Sequence, residues 1–285
     1  MRKKIITAII ISILVVSVSV GVVSYISVSD TIEVSLSKRF ALARTIANYV
    51  GVILNSNFNR LYDISLSYKV NLNDNNWAPE KRLLENAYRY SLFTEGVFLL
   101  DRHGNELIAY PEKTEYFSNL PYISYVNQVL QTGRPIISNI FTIEKINKKV
   151  IFIMTPLKDI DGSIMGIVGG ILSPTDQLLN KLLMSAKLDQ NTYIEIIDAN
   201  EMVVASSDPE RVLEHHDHEK TLSRMIREGK EGILECRHGY SSKKPGEKPL
   251  DILVFIPFKF APWGIVVGQP AKDIYAPAYD LVRTL

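Results

Sequence analysis

The sequence predicts an α+β chain: one N-terminal transmembrane helix, then a long helix carrying two antiparallel-sheet modules. Three observations predict it. Residues 5–26 are an uncharged run dominated by Ile and Val, preceded by Arg2, Lys3 and Lys4. Residues 30–68 hold no proline and a single glycine, Gly51, and repeat apolar residues at seven-residue spacing. Beyond them, one order of strands, hairpins and helices is written twice.

The apolar run comes first. At 1.5 Å per residue, 5–26 spans roughly 33 Å, enough to cross a hydrocarbon core. A cleaved secretory signal is the alternative, but its apolar stretch is usually about 7–15 residues and ends at small residues. Only Ser17-Val18-Ser19 imitates a cleavage site. The positive-inside tendency keeps Arg2, Lys3 and Lys4 cytoplasmic and sends the chain from Asp30 onward across the membrane.

In the long helix, Phe40, Ala47, Leu54, Leu61 and Tyr68 form one series of the heptad, and Leu36, Ala43, Val50, Asn57 and Ile64 the other. Asn57 alone breaks the stripe. Such a stripe packs either against a second copy of itself, making a homodimer, or along its own domain. The polar run 71–76 ends the helix.

The first module then reads as a helix at 78–91, a hairpin of strands 96–100 and 106–110 around Asp101–Asn105, and a helix at 121–131 stopped by Gly133 and Pro135. Strands 150–157 and 164–172 flank the turn Asp159-Ile160-Asp161-Gly162, and a helix at 175–188 leads onward. The second module repeats the plan: strands 193–198 and 202–206, helix 219–228, and strands 232–237, 250–257 and 265–269. Ile196-Ile197-Asp198 echoes Leu99-Leu100-Asp101, and Pro257-Phe258-Lys259 echoes Pro156-Leu157-Lys158. The common order of these matches points to duplication.

Composition narrows the function. The 285 residues are 46% hydrophobic and 22% charged, with 13 prolines, 15 glycines and a net charge of +1, which suits a folded chain with a sizeable core. Acids and bases alternate along it, so no basic stripe suits nucleic acid. Cys236 is the single cysteine, which excludes an intrachain disulfide, a CxxCH haem attachment and paired-cysteine zinc sites. No GxxxxGK[ST], HExxH or GxSxG occurs. The sequence shows no clustered acid, base and nucleophile, so the chain is read as a non-enzyme without a cofactor.

Two stretches carry a family resemblance. Leu120-Pro121-Tyr122-Ile123, Gly133-Arg134-Pro135-Ile136-Ile137-Ser138, Thr155-Pro156-Leu157-Lys158-Asp159, Asp161-Gly162 and Gly166-Ile167-Val168-Gly169 resemble the membrane-distal module of double Cache sensor domains. Ile256-Pro257-Phe258, Trp263-Gly264-Ile265-Val266-Val267 and Gln269-Pro270-Ala271 resemble the end of the membrane-proximal module. The resemblance implies PAS-like sheets on the long helix and ligand in the distal module. It also implies a second membrane helix leading to a cytoplasmic kinase, cyclase or chemotaxis domain. The domains are then 1–4 cytoplasmic, 5–26 transmembrane, 30–70 signalling or stalk helix, and 74–174 distal module. A connecting helix (175–189), a proximal module (190–271) and a helix (272–285) toward a second span complete the plan. The expected function is extracytoplasmic small-molecule sensing for a histidine kinase, diguanylate cyclase or chemoreceptor, at the inner membrane. The chain reads as a truncated receptor, the alternative being a complete single-pass protein signalling through a partner. The rival class is a structural or interaction ectodomain without a ligand.

The resemblance also frames the ligand. In amino-acid-binding members, the helix at Leu120 carries an Arg, then an aromatic two positions on and a Tyr beside it, and an acid on the last strand holds the amine. Here those positions are Leu120, Tyr122 and Ile123, and the acid falls at Gly170 or Ile171. Both charged clamps are replaced, and a desolvated amino acid needs its charges paired. The expected ligand is therefore not a free amino acid, and Leu120, Tyr122, Ile123, Ser138, Phe141, Met154, Thr155 and Gly170 are the candidate binding residues. The alternative is a filled core. Gly166, Gly169 and Gly170 permit close approach, either of backbone or of ligand. His215, His216 and His218 with Cys236 and His238 are weighed as a metal set against a solvated loop and one buried thiol, and the second is preferred. His103 reads as a turn residue, and Trp77 and Trp263 as packing anchors.

Overall fold

A computed structural model describes residues 2–67, 70–72, 76–112, 122–216, 220–237 and 249–276. The apolar run and the heptad helix are one uninterrupted helix, α1 (Arg2–Ser65). Its N-terminal part, from Ile9, is long and apolar enough to cross a membrane, and none of its apolar window is buried among the described residues. It ends before the expected boundary, and Tyr68 lies outside the described residues.

The heptad stripe belongs to the chain's own fold. Ala43, Ala47, Val50, Leu54, Leu61 and Ile64 are buried in the main core, with Phe40 packed at its edge, and α1 meets strands of both sheets. This settles the two readings of the stripe against pairing through Leu54: the side chain is 0% exposed. Asn57 does not break the packing. Its amide donates to the Ile53 carbonyl at 2.8 Å, and its Oδ1 accepts the Leu92 N–H at 2.9 Å. The polar break in the stripe is where α1 captures the loop after α2 (Ala78–Arg89).

The distal sheet contains β1 (Gly96–Asp101), β2 (Glu106–Tyr110), β3 (Ile136–Ile137), β4 (Phe141–Ile143), β5 (Lys148–Lys158) and β6 (Ile164–Leu172), with α3 (Ile123–Thr132) on one face. Helix α4 (Gln177–Ser185) follows, capped by Asp176, whose carboxylate accepts the Leu178 N–H. The proximal sheet contains β7 (Tyr193–Asp198), β8 (Val203–Ser206), β9 (Gly232–Arg237), β10 (Leu250–Pro257) and β11 (Trp263–Pro270), with α5 (Thr221–Glu228). Residues 271–276 are helical. β3 and β4 went unforeseen because two or three residues carry no readable alternation. β11 is longer than expected because β7 and β10 pair with it on both sides.

The strand orders are the same: β2-β1-β6-β5-β3, with β4 also on β5, and β8-β7-β11-β10-β9. The repeat reaches single atoms. Asp101 accepts the N–H groups of His103 and Asn105, and Asp198 those of Asn200 and Met202, closing the first hairpin of each sheet. Both hairpins shift register just before that aspartate.

Residues 138–140 join the two sheets. The Trp263 indole donates to the Ser138 carbonyl at 3.2 Å, the Asn139 Oδ1 accepts the Ala199 N–H at 3.2 Å, and Asp198 accepts the Ile140 N–H at 2.8 Å. Trp263 is thus an anchor, fully buried, whereas Trp77 is half-buried at the start of α2.

Candidate functional site

Strand alternation gives the distal sheet two faces. Val97, Leu99, Ile151, Ile153, Val168 and Leu172 join the core under α1. Phe98, Leu100, Phe152, Met154, Ile167 and Ile171 join a second core under α3. The second face is the candidate site.

Tyr122 lies at the N-terminal cap of α3 and is 5% exposed. Its ring meets Phe152 edge-on at 6.1 Å between centroids, and Phe152 also meets Phe98 at 5.6 Å and Phe141 at 4.8 Å. Phe141 stacks on Tyr125 at 6.0 Å. Edge-on and offset ring pairs at these separations are mutually favourable. Burial pushes the Tyr122 phenol up, and the charge of Glu106 adds to the shift. Glu106 itself, at the start of β2, is raised by partial burial. It is a titratable group on this face that sequence reading missed, since one acid after a hairpin turn carries no distinguishing signal.

The structure gathers some of the expected residues and separates others. Tyr122, Met154 and Phe141 share the α3-facing core with Ile123 at its margin. Leu120 lies outside the described residues. Ser138 is a structural bridge: its hydroxyl donates to the Asn139 carbonyl at 2.7 Å and accepts the Phe152 N–H at 2.9 Å. Thr155 points to the opposite face, into an open groove of about 840 Å³ that also borders Tyr62, Tyr125, Ile137, Lys259 and Phe260.

Gly170 is also on the face opposite Tyr122. A Cβ there would overlap the Phe93 ring, which belongs to the core under α1. Ile171, opposite Phe152 in the β5–β6 register, is the position that shares a face with Tyr122. Of the two, only Ile171 lies on the Tyr122 face, and the parity of Val168 and Leu172 carries that signal in the sequence. The glycine notches are filled by the chain itself: Phe98 lies over Gly169, Phe93 over Gly170, and the Leu100 carbonyl against Gly166. These glycines permit close approach of the chain to itself.

The histidine segment departs from the solvated loop expected. His216 is fully buried with Nε2 2.6 Å from the Glu195 carboxylate, while His215 is exposed. His218 and His238 lie outside the described residues. No cluster of metal-binding type occurs among the described residues. Burial, with the Asp251 charge, pushes the Cys236 thiol up to about 12. His103 is exposed in its turn, as read.

The sequence model of the Cache domain family matches residues 26–278. The fold resembles the extracellular domain of a proposed histidine kinase, mmHK1S-Z3, with TM-score 0.68, 16% identity, and coverage of 87% of this chain and 98% of that one. It also resembles the ligand-binding domain of the Pseudomonas aeruginosa PAO1 amino acid chemoreceptor PctB, solved with L-Arg, with TM-score 0.61, 19% identity, and coverage of 84% and 97%. An extracellular ligand binding receptor from Desulfohalobium retbaense is similar too, with TM-score 0.58, 13% identity, and coverage of 80% of this chain but 39% of that one. No curated protein matches. At these identities the solved structures speak for fold, and the match over most of the chain for family: the chain belongs to the Cache domain family.

Proposed function

We propose that this chain is the extracytoplasmic small-molecule-sensing region of a transmembrane signal-transduction receptor, held by α1 in the inner membrane with both sheets outside. The output is a histidine kinase, diguanylate cyclase or chemotaxis domain. One observation carries the ligand reading: the α3-facing side of the distal sheet joins Tyr122, Phe141 and Met154 with Ile171, an uncharged residue at one of the two positions matched to the amine-holding acid of amino-acid binders. A ring with one hydroxyl and a half-buried carboxyl suits a molecule that needs orientation more than charge pairing. The ligand class is a neutral metabolite or a short fatty or aromatic acid, unlike the amino acid in the PctB structure. A second reading has its own support: Tyr122 is already packed among aromatic rings, as in a ligand-free structural ectodomain.

A thermal-shift screen of the full chain in detergent separates the two. A ligand at a hundred times its Kd adds about 2.7 kcal/mol to the native state, a clear melting shift. Hits are expected among neutral and weakly acidic metabolites, lost in a folded Tyr122→Ala variant. Tight binding of a free amino acid, or a hit indifferent to Tyr122→Ala, rejects the pocket. A screen with no hits supports the structural reading.

We further propose that two copies pair through α1. Because the heptad stripe is buried, the pairing face is the exposed one bearing Tyr49 and Val52.

A further inference from the structure

The groove of about 840 Å³ that Thr155 faces draws on both modules and on the long helix. Helix α1 supplies Phe58 and Tyr62, and α3 supplies Tyr125. Thr155 comes from β5, and the turn between β10 and β11 brings Lys259 and Phe260. Small-molecule sites span about 300–1,000 Å³, and the groove falls inside that range.

Its aromatic wall is seated on α1. Gly51 is the single glycine of residues 30–68, and a Cβ there would lie 2.8 Å from two atoms of the Phe260 ring. Glycine is a poor residue for a helix interior, and the ring it admits accounts for it here. Phe260 also stacks on Phe258 at 5.7 Å between centroids. Phe258 is buried in the main core, and its N–H donates to the Trp263 carbonyl at 2.8 Å, closing the turn. The turn is thus held on two sides, with Lys259 at the groove's rim.

The polar side chains favour negative charge. Thr155 is 2% exposed, and among the described residues neither its hydroxyl nor the Lys259 ammonium has a hydrogen-bond or ion-pair partner. The Tyr125 hydroxyl accepts the Asn139 N–H at 3.3 Å and keeps its own proton to donate. Burial pushes that phenol up, so it stays protonated. Lys259 is the one charged residue bordering the groove among the described residues, and no carboxylate borders it. Asp198, whose charge reaches Tyr125, is fully buried and accepts the N–H groups of Ile140, Asn200 and Met202. An ammonium with two donating hydroxyls selects an anion, and the surrounding rings select a flat apolar body.

We propose that this groove is a second binding site, separate from the distal face, for a small aromatic carboxylate. The ring packs against Phe58, Tyr62 and Phe260, and the anionic group is drawn to Lys259, with Thr155 and Tyr125 donating hydrogen bonds. An occupant there ties α1 to the distal sheet and to the turn that opens β11, which runs into helix 271–276. The site needs no ligand on the Tyr122 face.

Isothermal titration of the full chain in nanodiscs tests this, with benzoate and 2-naphthoate as probes and empty nanodiscs as blank. One saturable site per chain is expected for at least one of the two carboxylates, and none for uncharged 2-naphthamide. Lys259→Met is expected to weaken binding at least about tenfold, the effect of losing a charged hydrogen-bond partner. Gly51→Ala displaces the Phe260 ring while improving the helix. It should weaken binding several-fold with an equal or higher melting temperature; if it melts lower, Lys259→Met on the exposed rim decides. Tyr122→Ala should leave this binding unchanged. No saturable binding of either carboxylate up to about 1 mM, or equal binding of the amide, overturns the proposal. Binding lost in Tyr122→Ala but indifferent to Lys259→Met also overturns it, and places the acid on the distal face. If Lys259→Met and Gly51→Ala change sedimentation of the chain in detergent but not probe binding, the groove pairs copies and the proposal fails.

Discussion

Cys236 shows how burial sets the chemistry of one residue. On β9 it faces the interior, with its sulfur 3.9 Å from the Asp251 carbonyl, and its thiol is raised to about 12. The thiolate is the reactive form, so the native thiol should resist alkylation at pH 8 and react only as the pH approaches 12 or the chain unfolds. Iodoacetamide labelling with and without urea measures this. Rapid labelling of the folded chain at pH 8 would show that the strand opens readily. Ile171 teaches a related lesson. It differs from Gly170 by one position, yet parity in the strand sends the two to opposite cores. The sequence left the two open through a one-residue ambiguity in matching the family motif.

At the scale of elements, α1 is where sequence reading came closest and still stopped short. Its seven-residue repeat was legible, but a stripe that pairs copies and a stripe that packs on its own sheets have nearly the same spacing. Leu54 is fully buried and Val52 is 67% exposed, and these burials decide the matter. Leu54→Ala should destabilise the chain by about 2–5 kcal/mol, whereas Val52→Ala should change it little. Urea unfolding measures both. The proposed pairing predicts that a cysteine at Val52 crosslinks copies in membranes while a cysteine at Leu54 does not. Efficient crosslinking at Leu54 would require α1 to leave its own sheets.

For the whole molecule, duplication is the governing fact. Each sheet has the same strand order and the same aspartate-closed hairpin, yet the interiors differ. The distal sheet turns an aromatic and aliphatic face to α3, and the proximal sheet buries Glu195, Arg211, His216 and Asp251. The proposed topology places both outside the membrane. Cysteines substituted at Ile160 and at Lys230, both exposed, in a Cys236→Ser background, are expected to react with a membrane-impermeant thiol reagent on intact cells. Protection of both until lysis would reverse the orientation.

The sequence by itself determined the apolar helix, the heptad helix, most strands and their doubled order. These follow from composition and short-range periodicity, which local residues carry. The family was legible for the same reason, in motifs around Tyr122, Gly133, Pro156 and Trp263. Tertiary structure alone decided which face each strand shows to which core. It moved Thr155 and Gly170 away from Tyr122, and brought Glu106 toward Tyr122. It also folded residues 207–216 so that His216, read as loop, met Glu195 from β7, 21 residues earlier. Contacts of that kind depend on strand register and on chain segments distant in sequence, and no local pattern encodes where a charge will be buried.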